Sequence, residues 1–550
     1  MTARPNNNRI KWKGAGPWNL YFLSVCTLHA FDYISLDPLA NMLLLIWVTL
    51  PVSNVVLKVL RQLTAFCAGF SLLWAESWLS GPDVLLENLQ NLTQFTPAYL
   101  AELAVGFVNP TMVMALLVAL GVWLALRDWI RFTSLSVAGL LIVAFPGMLS
   151  PFFTPRPSTS TAPMAASVTV QSGLSANPAG GAGPLPMQTE PADEAHLTAW
   201  LQAFFESEAK RRTHFKTTAS ESGNFDIAVI NICSLSKDDL EASGLNTHPV
   251  FSKFDVIFEA FNSATAYSGP ATLRLVTGAC GQPSHSTLYN GRRPDCEWMT
   301  ALEKGGWESH LVLDHNGAFD HYLENLRLIG GVSAPLMDQK NLSAQYEAFD
   351  GTPIMRTSEV LNAWMKIRDA SSVPTVSLMN LIALHDGNRL PGTSSSLPFK
   401  PRARKMLDDL DAFLDKLDAK AKPLMLIVVP EHGAAVRGDK IQVARLREIP
   451  SPAITQVPVY VKFVGLDNTG ASRTIAGPTS YLALSELMAR TIESGIYLNP
   501  KASHEEALNQ IVRNLPLTWQ VSENSNAVVM PYAGDTWLKL KNNRWLKYRK

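Results

Sequence analysis

Glu431 and His432 follow directly on the apolar run Leu-Met-Leu-Ile-Val-Val-Pro at 424–430, and Cys233 follows on Phe-Asp-Ile-Ala-Val-Ile-Asn-Ile at 225–232. Thiolate, carboxylate and imidazole form a typical zinc set, and three protein ligands leave a fourth position open for chemistry. Short β-branched runs read as buried strands of a parallel sheet. Both runs then present polar residues at their C-terminal ends, where open α/β sheets build sites.

Between the two runs, Ser268 precedes Gly269, Pro270 and a helical stretch. Proline suits the first helical turn. Ser268 is therefore expected near a helix N-terminus, where N–H groups and the dipole favour an anion. Beside a metal, such a serine is a good phosphoryl acceptor. The plain alternative is an N-cap serine.

These residues need a scaffold, and the C-terminal half supplies one. Strand-like runs at 254–258, 308–313, 375–379 and 457–464 alternate with helical stretches at 317–328, 358–370, 402–419 and 480–494. The alternation predicts an α/β domain with a mostly parallel sheet flanked by helices. Short runs at 527–532, 536–541 and 544–549 predict a small C-terminal antiparallel meander. Its Trp537, Trp545 and Tyr548 can stack on sugar rings or close the meander onto the domain.

The 550-residue chain has zero formal net charge, which argues against nucleic acid as a partner. That average hides a split. Residues 1–150 are apolar and read as a bundle of about five transmembrane helices at 18–36, 39–57, 63–79, 111–126 and 132–149, each near the ~20 residues a bilayer requires. Arg4, Arg9, Lys11 and Lys13 precede the first span. Lys58 and Arg61 lie between the second and third, and Arg127 and Arg131 between the fourth and fifth. By the positive-inside rule the N-terminus is cytoplasmic and residues 196–550 are exported. The first span lacks a small-residue cleavage site, so it reads as an anchor. Residues 151–195, rich in Pro, Ser, Thr, Ala and Gly, read as a flexible linker. His29, Asp32 and Glu76 fall at membrane depth, as functional groups or as partners satisfied inside the bundle.

The order of strand and Cys233, Ser268 before a helix, His385-Asp-Gly-Asn388, Pro430-Glu-His-Gly433 and Arg447-Glu-Ile-Pro-Ser-Pro452 resembles the alkaline phosphatase superfamily. With Asn231-Ile-Cys-Ser-Leu-Ser236, Asp314-His-Asn-Gly317 and Val521-Ser-Glu-Asn-Ser-Asn-Ala-Val-Val529, the chain looks like the membrane-anchored phosphoethanolamine transferases. Those that modify lipid A use a threonine nucleophile and a carboxylate where this chain has Cys233. The pairing of Cys with Ser resembles the cellulose-modifying branch of bacterial cellulose-synthesis operons.

The resemblance implies an alkaline-phosphatase-like catalytic domain over 196–550. Zn2+ would be held by Cys233, Glu431 and His432, with the oxygen of the nucleophile Ser268 as fourth ligand. His385 and Arg447 would face the phosphate, and Tyr267 would line the site. The donor would be phosphatidylethanolamine and the acceptor nascent cellulose, beside a cellulose synthase complex. The place implied is the bacterial inner membrane, multi-pass, with the catalytic domain in the periplasm. There Cys280 and Cys296 are expected to pair, leaving Cys233 as the metal thiolate, while Cys26 and Cys67 lie in membrane spans. The sequence has no Cys-x-Pro-x-Arg motif for formylglycine, against a sulfatase. The competing readings are a non-catalytic membrane scaffold of a polysaccharide export complex, and a transferase acting on lipid A or another envelope glycan.

Overall fold

Runs of Val, Ile and Leu build the centre of the C-terminal half. The computed structural model describes residues 14–31, 33–77, 93–106, 110–145, 190–439, 441–540 and 544–548. Seven strands form one sheet: β1 (Asp226–Cys233), β2 (Val256–Asn262), β3 (Glu308–Leu313), β4 (Thr375–Leu381), β5 (Leu424–His432), β6 (Gln456–Val464) and β7 (Arg473–Thr479). Their spatial order is β3-β4-β1-β5-β6-β2-β7. The strands β3, β4, β1 and β5 are parallel. Only β6 runs against its neighbours β5 and β2, and β7 pairs parallel with β2. Every residue of β1, β4 and β5 is buried, as strands covered on both faces must be.

Alternate β1 residues feed two cores. Ile227 and Val229 join Leu275 of one helix and Leu487 of another on one face. On the other face Ile230 and Ile232 join Trp364 and Leu410. The flanking helices match the expected stretches within a few residues: Thr357–Ala370, Phe399–Lys420 and Tyr481–Ser494. The tail forms the expected antiparallel meander, with Ala527–Tyr532, Asp535–Leu540 and Trp545–Lys547 in order. Trp545 is buried in a cluster with Trp200, Phe204 and Tyr532, and its indole N–H donates to Thr198 Oγ1 at 3.0 Å. Its ring is thus a packing element. The helix that carries Trp200 and Phe204, Glu194–Glu208, is N-capped by Asp193 and begins in the last residues of the expected linker. The rest of that linker, as far as residue 189, lies outside the described residues.

Ahead of the expected linker, the described residues form the helices α1 (Trp18–Ala30), α2 (Pro38–Thr49), α3 (Val55–Glu76), α4 (Pro97–Gly106), α5 (Pro110–Leu126) and α6 (Phe132–Ala144). Among the described residues, α3 is the one helix both long and apolar enough to cross a bilayer. The second expected span is cut short at Thr49, because Leu50 precedes Pro51 and turns extended. Glu76 is buried and accepts the Asp37 N–H at 3.0 Å and the Asn41 side-chain amide, so its carboxylate is engaged inside the bundle. His29 Nδ1 lies 3.2 Å from the Ile34 carbonyl oxygen. Asp32 lies outside the described residues, as do Arg4, Arg9, Lys11 and Lys13. The chain divides into two compact units. Described residues through 77 and from 104 to 145 form one, and residues 93–103 join 190–548 in the other.

Candidate metal centre

A one-residue slip between neighbouring strands makes the site. β1 and β5 pair in register up to Ile232 opposite Pro430, then Cys233 faces His432 and Glu431 is left over. Bulges of this kind re-aim side chains at sites. Here the slip turns Glu431 and His432, neighbours in sequence, toward one point. Ligand-type atoms of Cys233, Glu431 and His432 lie within 4.8 Å of one another, and all three residues are buried. Cys233 Sγ is 3.8 Å from His432 Nε2, which is 3.9 Å from Glu431 Oε2.

Ser268 is the first residue of α7 (Ser268–Val276). Its Oγ lies 3.3 Å from Cys233 Sγ and 3.2 Å from His432 Nε2. The structure thus brings together the four residues expected at the metal. Of the two groups at His432 Nδ1, the Gly433 carbonyl oxygen at 2.8 Å is nearer than Arg447 Nη1 at 3.2 Å, so Nδ1 holds the ring hydrogen and Nε2 turns its lone pair to the cluster.

Glu431 Oε1 accepts from Thr272 Oγ1 at 3.0 Å and from Asn380 Nδ2 at 2.5 Å. Its Oε2 has no hydrogen-bond partner among the described residues. Burial pushes the Glu431 carboxyl up, and pushes the Cys233 thiol up with help from the Glu431 charge. Burial also holds His432 well below the usual imidazole range. A divalent cation among the three reverses this penalty, because it takes thiolate and carboxylate in their charged forms and imidazole in its neutral form. The orphaned Oε2, the free Nε2 lone pair and the buried thiol fit such an ion.

The expected phosphate-facing groups surround the cluster. Arg447 Nη1 lies 3.2 Å from His432 Nδ1 and donates to Ser234 Oγ at 3.1 Å. His385 is held at about 4 by burial first and the Arg447 charge second, and its Nδ1 lies 2.8 Å from the Asp386 carbonyl oxygen. The ring is therefore neutral at pH 7, with Nε2 as a proton acceptor. Tyr267 caps α7, and its hydroxyl donates to Glu448 Oε1 at 2.9 Å.

Three further residues have no role assigned by sequence. Asn380, at the end of β4, donates to Glu431 and also to Asn231 Oδ1 at 3.1 Å. His315 Nε2 lies 2.9 Å from Asn380 Oδ1, while its Nδ1 accepts the Gly317 N–H at 3.0 Å. That second bond leaves the ring hydrogen on Nε2, so His315 donates to the amide oxygen and aims the Asn380 NH2 at Glu431. Thr272, one turn beyond Ser268, ties the same carboxylate to the helix. The motif Asp314-His-Asn-Gly317 held the signal for His315; Asn380 and Thr272 carry none of their own.

Parallel-sheet α/β proteins with a buried thiol, carboxylate and imidazole gathered at strand ends are the class this geometry defines. Within that class, the chain belongs to the cellulose biosynthesis protein BcsG family: the BcsG C-terminal domain matches residues 182–545 and the BcsG N-terminal domain residues 18–145. It is 39% identical over 555 residues to cellulose biosynthesis protein BcsG of Escherichia coli (strain K12), covering 100% of this chain and 98% of the relative. To the same-named protein of Salmonella typhimurium (strain LT2) it is 39% identical over 549 residues, covering 98% and 97%. Among solved structures, a protein in the alkaline phosphatase superfamily from Vibrio parahaemolyticus overlaps with a TM-score of 0.43 at 13% identity, over 61% of this chain and 81% of that one.

Proposed function

We propose that the chain is a zinc-dependent phosphoethanolamine transferase that moves phosphoethanolamine from phosphatidylethanolamine to hydroxyls of nascent cellulose through a covalent adduct on Ser268. The observation that carries this is the Ser268 hydroxyl at the start of a buried helix, 3.2 and 3.3 Å from two of the three candidate ligands. Membership of a cellulose biosynthesis family supports the acceptor. The apolar N-terminal helices support a donor that diffuses in a bilayer.

Cys233, Glu431, His432 and the Ser268 oxygen would hold the zinc, which when bound supplies a Lewis acid that lowers the serine pKa and draws negative charge. In the first half-reaction Ser268 Oγ forms a bond to phosphorus while the bond from phosphorus to the diacylglycerol oxygen breaks. The proton leaving Ser268 passes to neutral His385 Nε2 and on to the departing oxygen. Arg447 grips the phosphate oxygens through its planar guanidinium. The Ser268 and Gly269 N–H groups at the start of α7 would face the same charge. In the second half-reaction a glucan hydroxyl replaces the serine oxygen on phosphorus, and its proton returns to Ser268 by the same route. Atoms balance, and the products are diacylglycerol and the phosphoethanolamine ester of the sugar.

The same reading takes the five apolar stretches as inner-membrane spans, residues 151–195 as the tether, and the C-terminal domain as periplasmic, beside a cellulose synthase complex. The test supplies full-length protein in bilayers with phosphatidylethanolamine and a soluble cello-oligosaccharide. Transfer by wild type, and none by Ser268→Ala, is the expected result. Equal product from both would overturn the Ser268 adduct, and no product from either would leave a scaffold and not an enzyme.

A further inference from the structure

Residues 93–103 lie far from the catalytic residues in sequence, in the stretch between the third and fourth expected spans, yet they pack against the loop that holds His385. Phe95 stacks on Phe319 with ring centroids 6.1 Å apart and meets Phe349 edge-on at 5.2 Å. Phe349 in turn lies against the His385 ring at 4.8 Å. The Thr96 N–H donates to the Phe349 carbonyl oxygen at 3.0 Å, and Arg389 Nη2 donates to Thr96 Oγ1 at 3.0 Å.

Of the α4 residues, Tyr99 reaches Asp386 directly and Glu102 reaches it through Arg445. The Tyr99 hydroxyl donates to Asp386 Oδ2 at 3.2 Å, and Arg445 Nε donates to Asp386 Oδ1 at 2.6 Å. Glu102 Oε1 holds that same Arg445 at 3.1 Å, and Glu102 Oε2 accepts from Ser396 Oγ at 2.5 Å. The loop is shaped for this contact. Gly387 has φ +79°, and a Cβ there would lie 2.7 Å from Tyr99 Cε2 and 2.8 Å from Phe349 Cβ. Only glycine accepts both the backbone conformation and the approach of the ring. Glu102, Asp386 and Arg445 also line a cavity of about 330 Å³ together with Phe399 and Arg402.

We propose that residues 93–103 are a strap belonging to the catalytic site, in which Tyr99 and Glu102 are positioning residues that fix the His385-Asp386-Gly387 loop and close one wall of the adjoining cavity. Part of the site is then encoded within the N-terminal, helix-rich region, and a catalytic fragment starting at residue 190 carries the His385 loop without its strap. The catalytic consequence rests on the transferase reading above; the structural one does not.

The experiment uses the full-length protein in detergent or bilayers, with Tyr99→Phe, Glu102→Gln and Tyr99→Ala. Hydrogen exchange followed by mass spectrometry should show faster exchange confined to about residues 382–389 and 445–447, graded from Tyr99→Phe to Tyr99→Ala, with zinc content unchanged. Loss of loop alignment should lower kcat roughly tenfold to a hundredfold, since small misplacements near reacting groups cost on that order, while KM for phosphatidylethanolamine stays within about twofold. Unchanged exchange at 382–389 in both Tyr99 variants would overturn the strap. Faster exchange with unchanged kcat would overturn the positioning role. Faster exchange in a protein whose wild type transfers nothing would keep the strap and sink the transferase reading. Tyr99→Phe keeps the ring on Gly387, so it remains informative if Tyr99→Ala does not fold.

Discussion

Asn380→Leu removes one amide from the support of Glu431 while keeping the branched outline of the side chain. In the structure this amide gives Glu431 Oε1 its shortest hydrogen bond, 2.5 Å, and a second bond to Asn231 at 3.1 Å. Thr272 remains on Oε1, so the carboxylate is weakened in its placement and not stripped. A hydrogen bond to a charged group contributes about 1.5–3 kcal/mol. Removing an outer-shell partner of a metal ligand lowers metal affinity about 10- to 100-fold, or about 1.4–2.7 kcal/mol, which is the same range. The assay is zinc competition with a chromophoric chelator, with thermal unfolding measured with and without zinc. Zinc affinity should fall by that factor, and the stabilisation by a fixed excess of zinc should shrink to match. Asn380→Asp sets a second carboxylate against Glu431, so its apo protein should lose more stability than the leucine variant and recover more of it with zinc. Unchanged zinc affinity in Asn380→Leu would refute the claim that the Glu431 carboxylate is a ligand oriented through this amide.

Three further outcomes are expected. Cys280 and Cys296 form the one disulfide among the described residues, 16 residues apart, and losing it with Cys280→Ser plus Cys296→Ser should cost roughly 3 kcal/mol in the chain-entropy model; non-reducing peptide maps that show free thiols would contradict it. Trp545→Ala should lower stability by about 3–5 kcal/mol with both half-reactions weakened together, because the ring is buried against Trp200 and Tyr532; an unchanged melting temperature with lost transfer to glucan would return the ring to acceptor binding. Burial holds His315 at about 4, below the usual 6.5, so the unfolded chain takes its proton first as pH falls. The stability this ring contributes is present above about 6.5 and is lost between there and 4, so the advantage of wild type over His315→Asn should shrink by about 2 kcal/mol from pH 7 to 5. A constant difference across that range would show that His315 is not buried in its neutral form.

Strand ends were the legible part of the site. Val and Ile runs ending in Cys233 and in Glu431-His432 mark buried strands, and Pro270 marks the helix start beside Ser268. The slip between Ile232 and Cys233 was not legible, since a single unpaired residue leaves the apolar pattern unchanged. Asn380 reads as one more residue near the end of an apolar strand, and Thr272 as one more helix residue; only tertiary placement makes them partners of Glu431. β7 escaped because Gly477 and Pro478 interrupt its pattern, which an edge strand tolerates. The start of the helix Glu194–Glu208 is signalled by Asp193 and by Leu197, Trp200 and Phe204 on one face, but it follows directly on a Pro- and Gly-rich stretch. The strap at 93–103 has no local pattern that distinguishes it from a membrane loop. Its partners lie some 250 to 350 residues away in sequence.

The most direct measurement is the intact mass of the full-length protein after incubation with phosphatidylethanolamine in the absence of glucan. Wild type should gain the mass of one phosphoethanolamine group, located on Ser268 by peptide mapping, and lose it when cello-oligosaccharide is added. Ser268→Ala should gain nothing. An adduct on another residue, or transfer to glucan by Ser268→Ala, would contradict the covalent serine at the metal centre.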